Sequence, residues 1–215
     1  MTASTHSHSD PTRRSDSAFL KFCAALAVFG VLAMLGGNIV GSIVVPNHDP
    51  VADTISDLAA GRYEIIQDVA LYGYAAGFIA LALALANLHT QSKRWSLGIV
   101  SLVTIAALII VIGARNEYGD NDSEGVVIHI YLVYGLGVLL AIAPFALARG
   151  LSEIGAGFGF AARLFGGLWL LSAPVFFFLP TAYDGAYERG LGILASLWVL
   201  NVAYATWVSA RAIPN

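Results

Sequence analysis

Six stretches of this chain are apolar almost without interruption, at about residues 18–45, 66–88, 95–115, 126–148, 161–180 and 190–211. Each is close to the ~20 residues that a helix needs to cross a bilayer core. The alternating apolar and polar pattern of a membrane β-strand is absent, and in lipid only helices and closed barrels satisfy their own backbone groups. The pattern therefore predicts an all-α integral membrane protein, a six-transmembrane-helix bundle forming one membrane domain over residues 18–215. Residues 1–17 are Ser, Thr, His, Asp, Pro and Arg with almost nothing apolar. Such a segment buries too little surface to offset its ordering entropy, so it reads as a disordered cytoplasmic tail.

Composition agrees with a lipid solvent. The 215 residues are 58% hydrophobic and 12% charged, with mean hydropathy +0.74, against about 25% charged in a soluble domain. A formal net charge of −3 gives no reason to expect a nucleic-acid partner. The single cysteine, Cys23, lies in an apolar run and reads as a small packing residue. Thr12-Arg13-Arg14 before Phe19-Leu20-Lys21 faintly resembles a twin-arginine export signal. The spacing breaks that pattern, and the apolar run is too long for the core of a cleaved signal, so it reads as the first span.

The connections predict orientation. With the N-terminus inside, Arg13, Arg14, Lys21, Lys93, Arg94, Arg149, Arg163 and Arg211 are cytoplasmic, eight of the eleven Lys and Arg, and only Arg62, Arg115 and Arg189 lie outside. That bias sets an N-in, C-in topology in the cytoplasmic (inner) membrane. Of the fourteen acids, eleven fall outside, the exceptions being Asp10, Asp16 and Glu153. Trp95 and Trp207 sit where interfacial anchors belong. Gly37 and Gly41 have the GxxxG spacing that permits close helix contact.

The polar material thus gathers on the extracytoplasmic side, in loops near 46–68, 115–124 and 181–189. In the first, Thr54-Ile55-Ser56-Asp57 fits a capping box, which predicts a short amphipathic helix from Thr54 to Ala60 after the first span. Acids at outward-facing helix starts, Asp68, Glu124, Asp184 and Glu188, are favoured by the helix dipole, as is Arg115 at a helix end. Ion pairs such as Arg115 with Asp120 or Arg189 with Asp184 would tie the loops together.

His129 lies about one turn inside the fourth span, and an ionisable residue there is by default a functional candidate. His48, His129 and Asp57, with Asp120 or Asp122 beside them, fit the composition of a zinc site with three protein ligands and a water. No pair has helical ligand spacing such as HxxxH. Asp57 and His129 are the candidates for catalysis. The wider polar cluster comprises His48, Asp57, Arg62, Asp68, Arg115, Asp120, Asp122, His129, Asp184, Glu188 and Arg189. Asn38, Ser42, Asn87, Ser172, Ser196 and Asn201 read as hydrogen-bond glue between helices. Pro174 and Pro180 predict a kink and an exit from the fifth span. Phe176-Phe177-Phe178 reads as lipid-facing packing. No P-loop, dinucleotide fingerprint, GxSxG or cysteine cluster is present.

Three elements together resemble a known family: Ile55-Ser56-Asp57-Leu58-Ala59 after the first span, His129 at the outer start of the fourth, and Tyr187-Glu188-Arg189-Gly190 before a last span carrying Trp198. Over residues 18–211 the chain resembles the bacterial six-helix membrane proteins grouped as domain of unknown function 998, and more distantly the Frag/DRAM/Sfk-type membrane proteins. The resemblance implies six helices in the cytoplasmic membrane and no particular reaction. The residues alone favour a non-enzymatic protein that binds a lipid headgroup or a partner membrane protein through its extracytoplasmic polar face. The alternatives are a metal-dependent intramembrane lipid hydrolase and, with less support, a small-solute transporter, which would be expected to show a broken-helix pair or an internal repeat.

Overall fold

The computed structural model describes residues 16–88, 92–114 and 129–213. Six long apolar helices span the membrane: α1 (Ser17–Val44), α3 (Ile65–Asn87), α4 (Lys93–Ala114), α5 (His129–Ile154), α6 (Ala156–Ser172) and α7 (Asp184–Arg211). Between α1 and α3 lies the four-residue helix α2 (Ile55–Leu58). Among the described residues there is no β-strand. Each predicted span overlaps one of these helices; the ends of the first three agree to within two residues, and those of the last three differ by up to eight. The tail, apart from Asp16 and Ser17, lies outside the described residues, as does the loop with Arg115, Asp120 and Asp122.

The spans form a closed ring. Each packs on the next in sequence, and α7 returns to pack on α1, while α3 and α5 also touch α7 across the middle. At the centre Trp198 stacks on Phe165 with centroids 5.3 Å apart and meets Phe78 at 6.2 Å. The outward faces carry large apolar residues such as Phe29, Ile43, Val100, Phe160 and Leu171. In water such a surface would aggregate; against lipid tails it is the expected coat. Small residues let α1 and α3 approach closely. A side chain at Gly37 would run into Ala70, which accounts for half of the GxxxG spacing; Gly41 instead makes room for Leu58 of α2.

One sequence expectation changes here. Trp95 is not an interfacial anchor: it is 3% exposed, and its indole N–H donates to the Leu85 carbonyl at 3.0 Å. The fifth span runs on through Pro174 to Phe178, with a change of winding there. It ends as an α-helix at Ser172 and tightens into a 3₁₀ segment, Ala173–Phe178, with Pro174 in its first turn. Phe177 and Phe178 do face outward, with Phe177 edge-on to Tyr134 at 4.9 Å.

Charge sorts by end of the bundle. Lys21, Lys93, Arg94, Arg149, Arg163 and Arg211 lie near one end. Arg62 and Arg189 lie at the other, among Asp49, Asp53, Asp57, Glu64, Asp68, Asp184 and Glu188.

Candidate functional site

The acidic end is built on the stretch that follows α1. That helix closes with the Val45 N–H donating to the Gly41 carbonyl at 2.9 Å, and Pro46 cannot extend it. Asn47 turns the chain with φ 60, in the left-handed region that Asn tolerates better than most residues. The acids that follow hold the loop's own backbone. Asp49 Oδ1 accepts the Val51 N–H at 2.9 Å, an Asx-type turn, and Asp53 Oδ2 accepts the Asp49 N–H at 2.8 Å. The predicted capping box is present: Thr54 Oγ1 accepts the Asp57 N–H at 3.1 Å, and Asp57 Oδ2 accepts the Thr54 N–H at 2.6 Å. The three carboxylates and the hydroxyl thus shape a loop and open a helix.

The start of α7 docks on this loop. A helix leaves its first N–H groups without intrahelical acceptors. Here the Gly185 N–H donates to the Ala52 carbonyl at 3.2 Å, and the Ala186 N–H to the Val51 carbonyl at 2.9 Å. Position 185 has to be glycine for this approach, since a Cβ would run into the Asp53 carbonyl oxygen. Glu188 reaches across and accepts the Ile55 N–H at 2.6 Å, satisfying the first orphan donor of α2.

Arg189 completes the junction. Its Nε donates to Asn38 Oδ1 at 3.0 Å. Its Nη1 donates to the carbonyls of Asp53 at 2.7 Å and Pro50 at 3.1 Å. Its Nη2 contacts His48 Nε2 at 2.8 Å and donates to Ser42 Oγ at 3.3 Å. A guanidinium has five N–H donors, and these five contacts account for them. One side chain therefore ties α7 to α1 and to the loop between α1 and α2.

The contact with His48 fixes that ring's state. Arginine only donates, so Nε2 must carry the lone pair and the proton must sit on Nδ1. Nδ1 lies 3.5 Å from Asp53 Oδ2, and the His48 side chain is 2% exposed. Burial, and then the positive charge of Arg189, push the His48 pKa below its usual value; Asp53, Asp57 and Asp49 pull the other way.

His129, 6% exposed at the start of α5, joins the same end. Its Nε2 lies 3.2 Å from Ser56 Oγ. The structure thus brings together Ile55-Ser56-Asp57, His129 and Tyr187-Glu188-Arg189, three elements scattered along the chain. Tyr187 adds a bond from its hydroxyl to the Ser172 carbonyl at 2.9 Å. The fold does not bring His48, His129 and Asp57, the described members of the proposed zinc site, into one set. His48 Nε2 faces Arg189, His129 Nε2 faces Ser56 and Asp57 faces Thr54. Among the described residues no three His, Cys, Asp or Glu side chains are grouped to hold a metal ion.

Other candidates stand apart. The expected ion pair of Arg189 with Asp184 is replaced by the contacts above, because the guanidinium points from α7 toward α1 and the loop carbonyls. Arg62 is exposed and lies 5.7 Å from the Tyr63 ring centroid. Asp68 sits in the first turn of α3 and Asp184 opens α7. Each has one buried carboxylate oxygen with no hydrogen-bond partner among the described residues. Asn38 and Ser42, read from sequence as generic glue, prove to be acceptors for Arg189. Their separation of four residues on α1, which puts them on one face, was the available signal. The backbone carbonyls of Pro50 and Asp53 had none.

No curated protein and no solved structure matches the chain. The family described as "Protein of unknown function (DUF998)" matches residues 21–205, which include the Ile55-Ser56-Asp57, His129 and Glu188-Arg189 elements gathered at this end. The chain is therefore a multi-pass membrane protein that belongs to the DUF998 family.

Proposed function

We propose that the protein is a non-enzymatic membrane protein that binds a lipid headgroup or a partner membrane protein through its acidic end. In this reading that end is extracytoplasmic, both termini are cytoplasmic, and the membrane is the cytoplasmic one. The observation that carries the proposal is the way the polar side chains are used. Asp49, Asp53, Asp57, Glu188 and Arg189 all hold backbone groups of one short loop and helix. That investment produces a rigid surface, and rigidity in the free state lowers the ordering cost of binding.

Charge indicates the kind of ligand. Among the described residues seven acids share this end with two arginines, and Arg189 is already saturated. The complementary group is a cation, such as a headgroup ammonium or a basic loop. The test is a photo-crosslinking residue at Val51, which is 46% exposed, in cells. Adducts should exceed those from a lipid-facing control at Ile39 and should weaken in Asp49→Asn/Glu64→Gln. Equal yields at the two positions would sink the proposal. Sidedness is checked separately. An impermeant thiol reagent should label Val51→Cys from outside and spare Ser92→Cys; the reverse pattern would invert the topology.

One observation favours a hydrolase instead. Ser56 Oγ and His129 Nε2, at 3.2 Å, have the reach of a nucleophile and its base. A serine-directed fluorophosphonate that labels the wild type and not Ser56→Ala would support this reading; no labelling would remove its basis.

A further inference from the structure

At the opposite, basic end, α4 and α5 leave a cavity of about 360 Å³ between them, a volume at the lower end of the range for small-ligand sites. Its polar lining is Ser92, Arg94, Arg149 and Glu153, and Trp95 and Gly150 form its inner wall. The wall is fixed. The Trp95 indole is held by its bond to the Leu85 carbonyl, and its ring occupies the space where Gly150 lacks a side chain.

The charges there are only partly used. Arg149 approaches Glu153 at 3.9 Å across an exposed surface, a geometry worth little by itself. Arg94 has no ion pair among the described residues. Two arginines against one glutamate leave a positive excess. Lys93 and Arg94 also occupy the first turn of α4, where the helix dipole favours anions and disfavours cations. An anion in the cavity would offset that placement. Leu97, one turn after Arg94 on α4, and Ile142, two turns before Arg149 on α5, are exposed and apolar, so a chain leaving the cavity along the bundle would meet a hydrocarbon surface.

We infer that this cavity binds a phosphate group, with Arg94 and Arg149 as its cationic ligands. The adjoining apolar strip fits the phosphate of an anionic lipid, as basic pockets between spanning helices do at a cytoplasmic leaflet. The site is separate from the acidic end and does not depend on the function proposed for it.

The test uses the full chain, purified in a zwitterionic detergent and analysed by native mass spectrometry. Phosphatidylglycerol, phosphatidylcholine and inorganic phosphate are added in separate arms. Phosphatidylglycerol should be retained at one per chain in preference to phosphatidylcholine. Arg94→Gln/Arg149→Gln should weaken it about thirtyfold, the equivalent of about 1 kcal/mol for each of two charges. Lys21→Gln/Arg211→Gln, which removes charges from α1 and α7 at the same end, should leave retention unchanged. Saturable binding of inorganic phosphate that is lost in the Arg94/Arg149 variant keeps the site and assigns it to free phosphate. Equal loss in the two double variants, or unchanged retention in the first, would overturn the inference. Arg94 and Arg149 are both exposed, and an unaltered melting temperature in detergent verifies that their replacement leaves the fold intact.

Discussion

Replacing Arg189 with Gln tests the construction of the acidic end most directly. The side chain makes five contacts at 2.7–3.3 Å. At about 1.5–3 kcal/mol for each bond to a charged group, a simple sum would reach or exceed the whole stability of a typical domain. The sum is wrong because the acceptors differ. The Pro50 carbonyl lies in an exposed part of the loop and can turn to water. Asn38, 9% exposed, and the His48 side chain, 2% exposed, cannot do so without movement. Counting only those two at that rate gives about 3–6 kcal/mol. The spans themselves remain packed, so the loss falls on local docking of the loop and α2 against α7. Ile55 reports it, being 7% exposed in the docked state. With Cys23 replaced by Ala, the labelling rate of Ile55→Cys by a thiol reagent measures the docking equilibrium. At tenfold per 1.4 kcal/mol, Arg189→Gln should accelerate labelling at least about a hundredfold. Arg189→Lys should recover little, because one ammonium cannot span acceptors placed around a planar fork. An acceleration below about threefold for Arg189→Gln would refute the assignment of Arg189 as the residue that holds this end together.

The same reporter reads the other predictions. His48 must be neutral to accept from Arg189, and its pKa in the fold lies below the unfolded value of 6.5. The stabilisation it contributes is therefore complete above pH 6.5 and is lost as the pH falls from there toward the folded pKa. Labelling of Ile55→Cys, corrected for the reagent's own pH dependence, should rise on acidification by at most about tenfold per pH unit, the limit for one proton, and His48→Gln should flatten the profile. Gly185→Ala should loosen docking by about 1–3 kcal/mol through overpacking against Asp53, and normal labelling there would contradict the described approach of α7. Glu188→Gln, which keeps an acceptor near the Ile55 N–H but removes its charge, should cost about 1 kcal/mol; Glu188→Ala should cost more, and the reverse order would argue against a capping role.

Much of the architecture is legible in the sequence. Continuous apolar runs of about 20 residues have one stable answer in lipid, a helix, and α1 and α3–α7 follow those runs. The short helix is legible because Thr54 and Asp57 carry their own mechanism, two side chains satisfying the two backbone donors between them. Trp95 is misread because sequence shows depth along a span and not direction around it; the absence of a side chain at Gly150 is what turns that ring inward.

The candidate site divides along the same line. Sequence alone determined that acids crowd one end, that His48, Asp57, Glu188 and Arg189 belong to it, and that they lie between or beside spans where charge is costly. It did not determine their partners. Arg189 lies five residues after Asp184, and proximity in sequence suggested an ion pair. The ring closure of α7 on α1 gave the guanidinium Asn38, Ser42, His48 and two backbone carbonyls instead. Those contacts connect residues up to 151 positions apart. Only the tertiary structure could decide them, because carbonyl acceptors are the same in every sequence and are distinguished solely by where the fold points them.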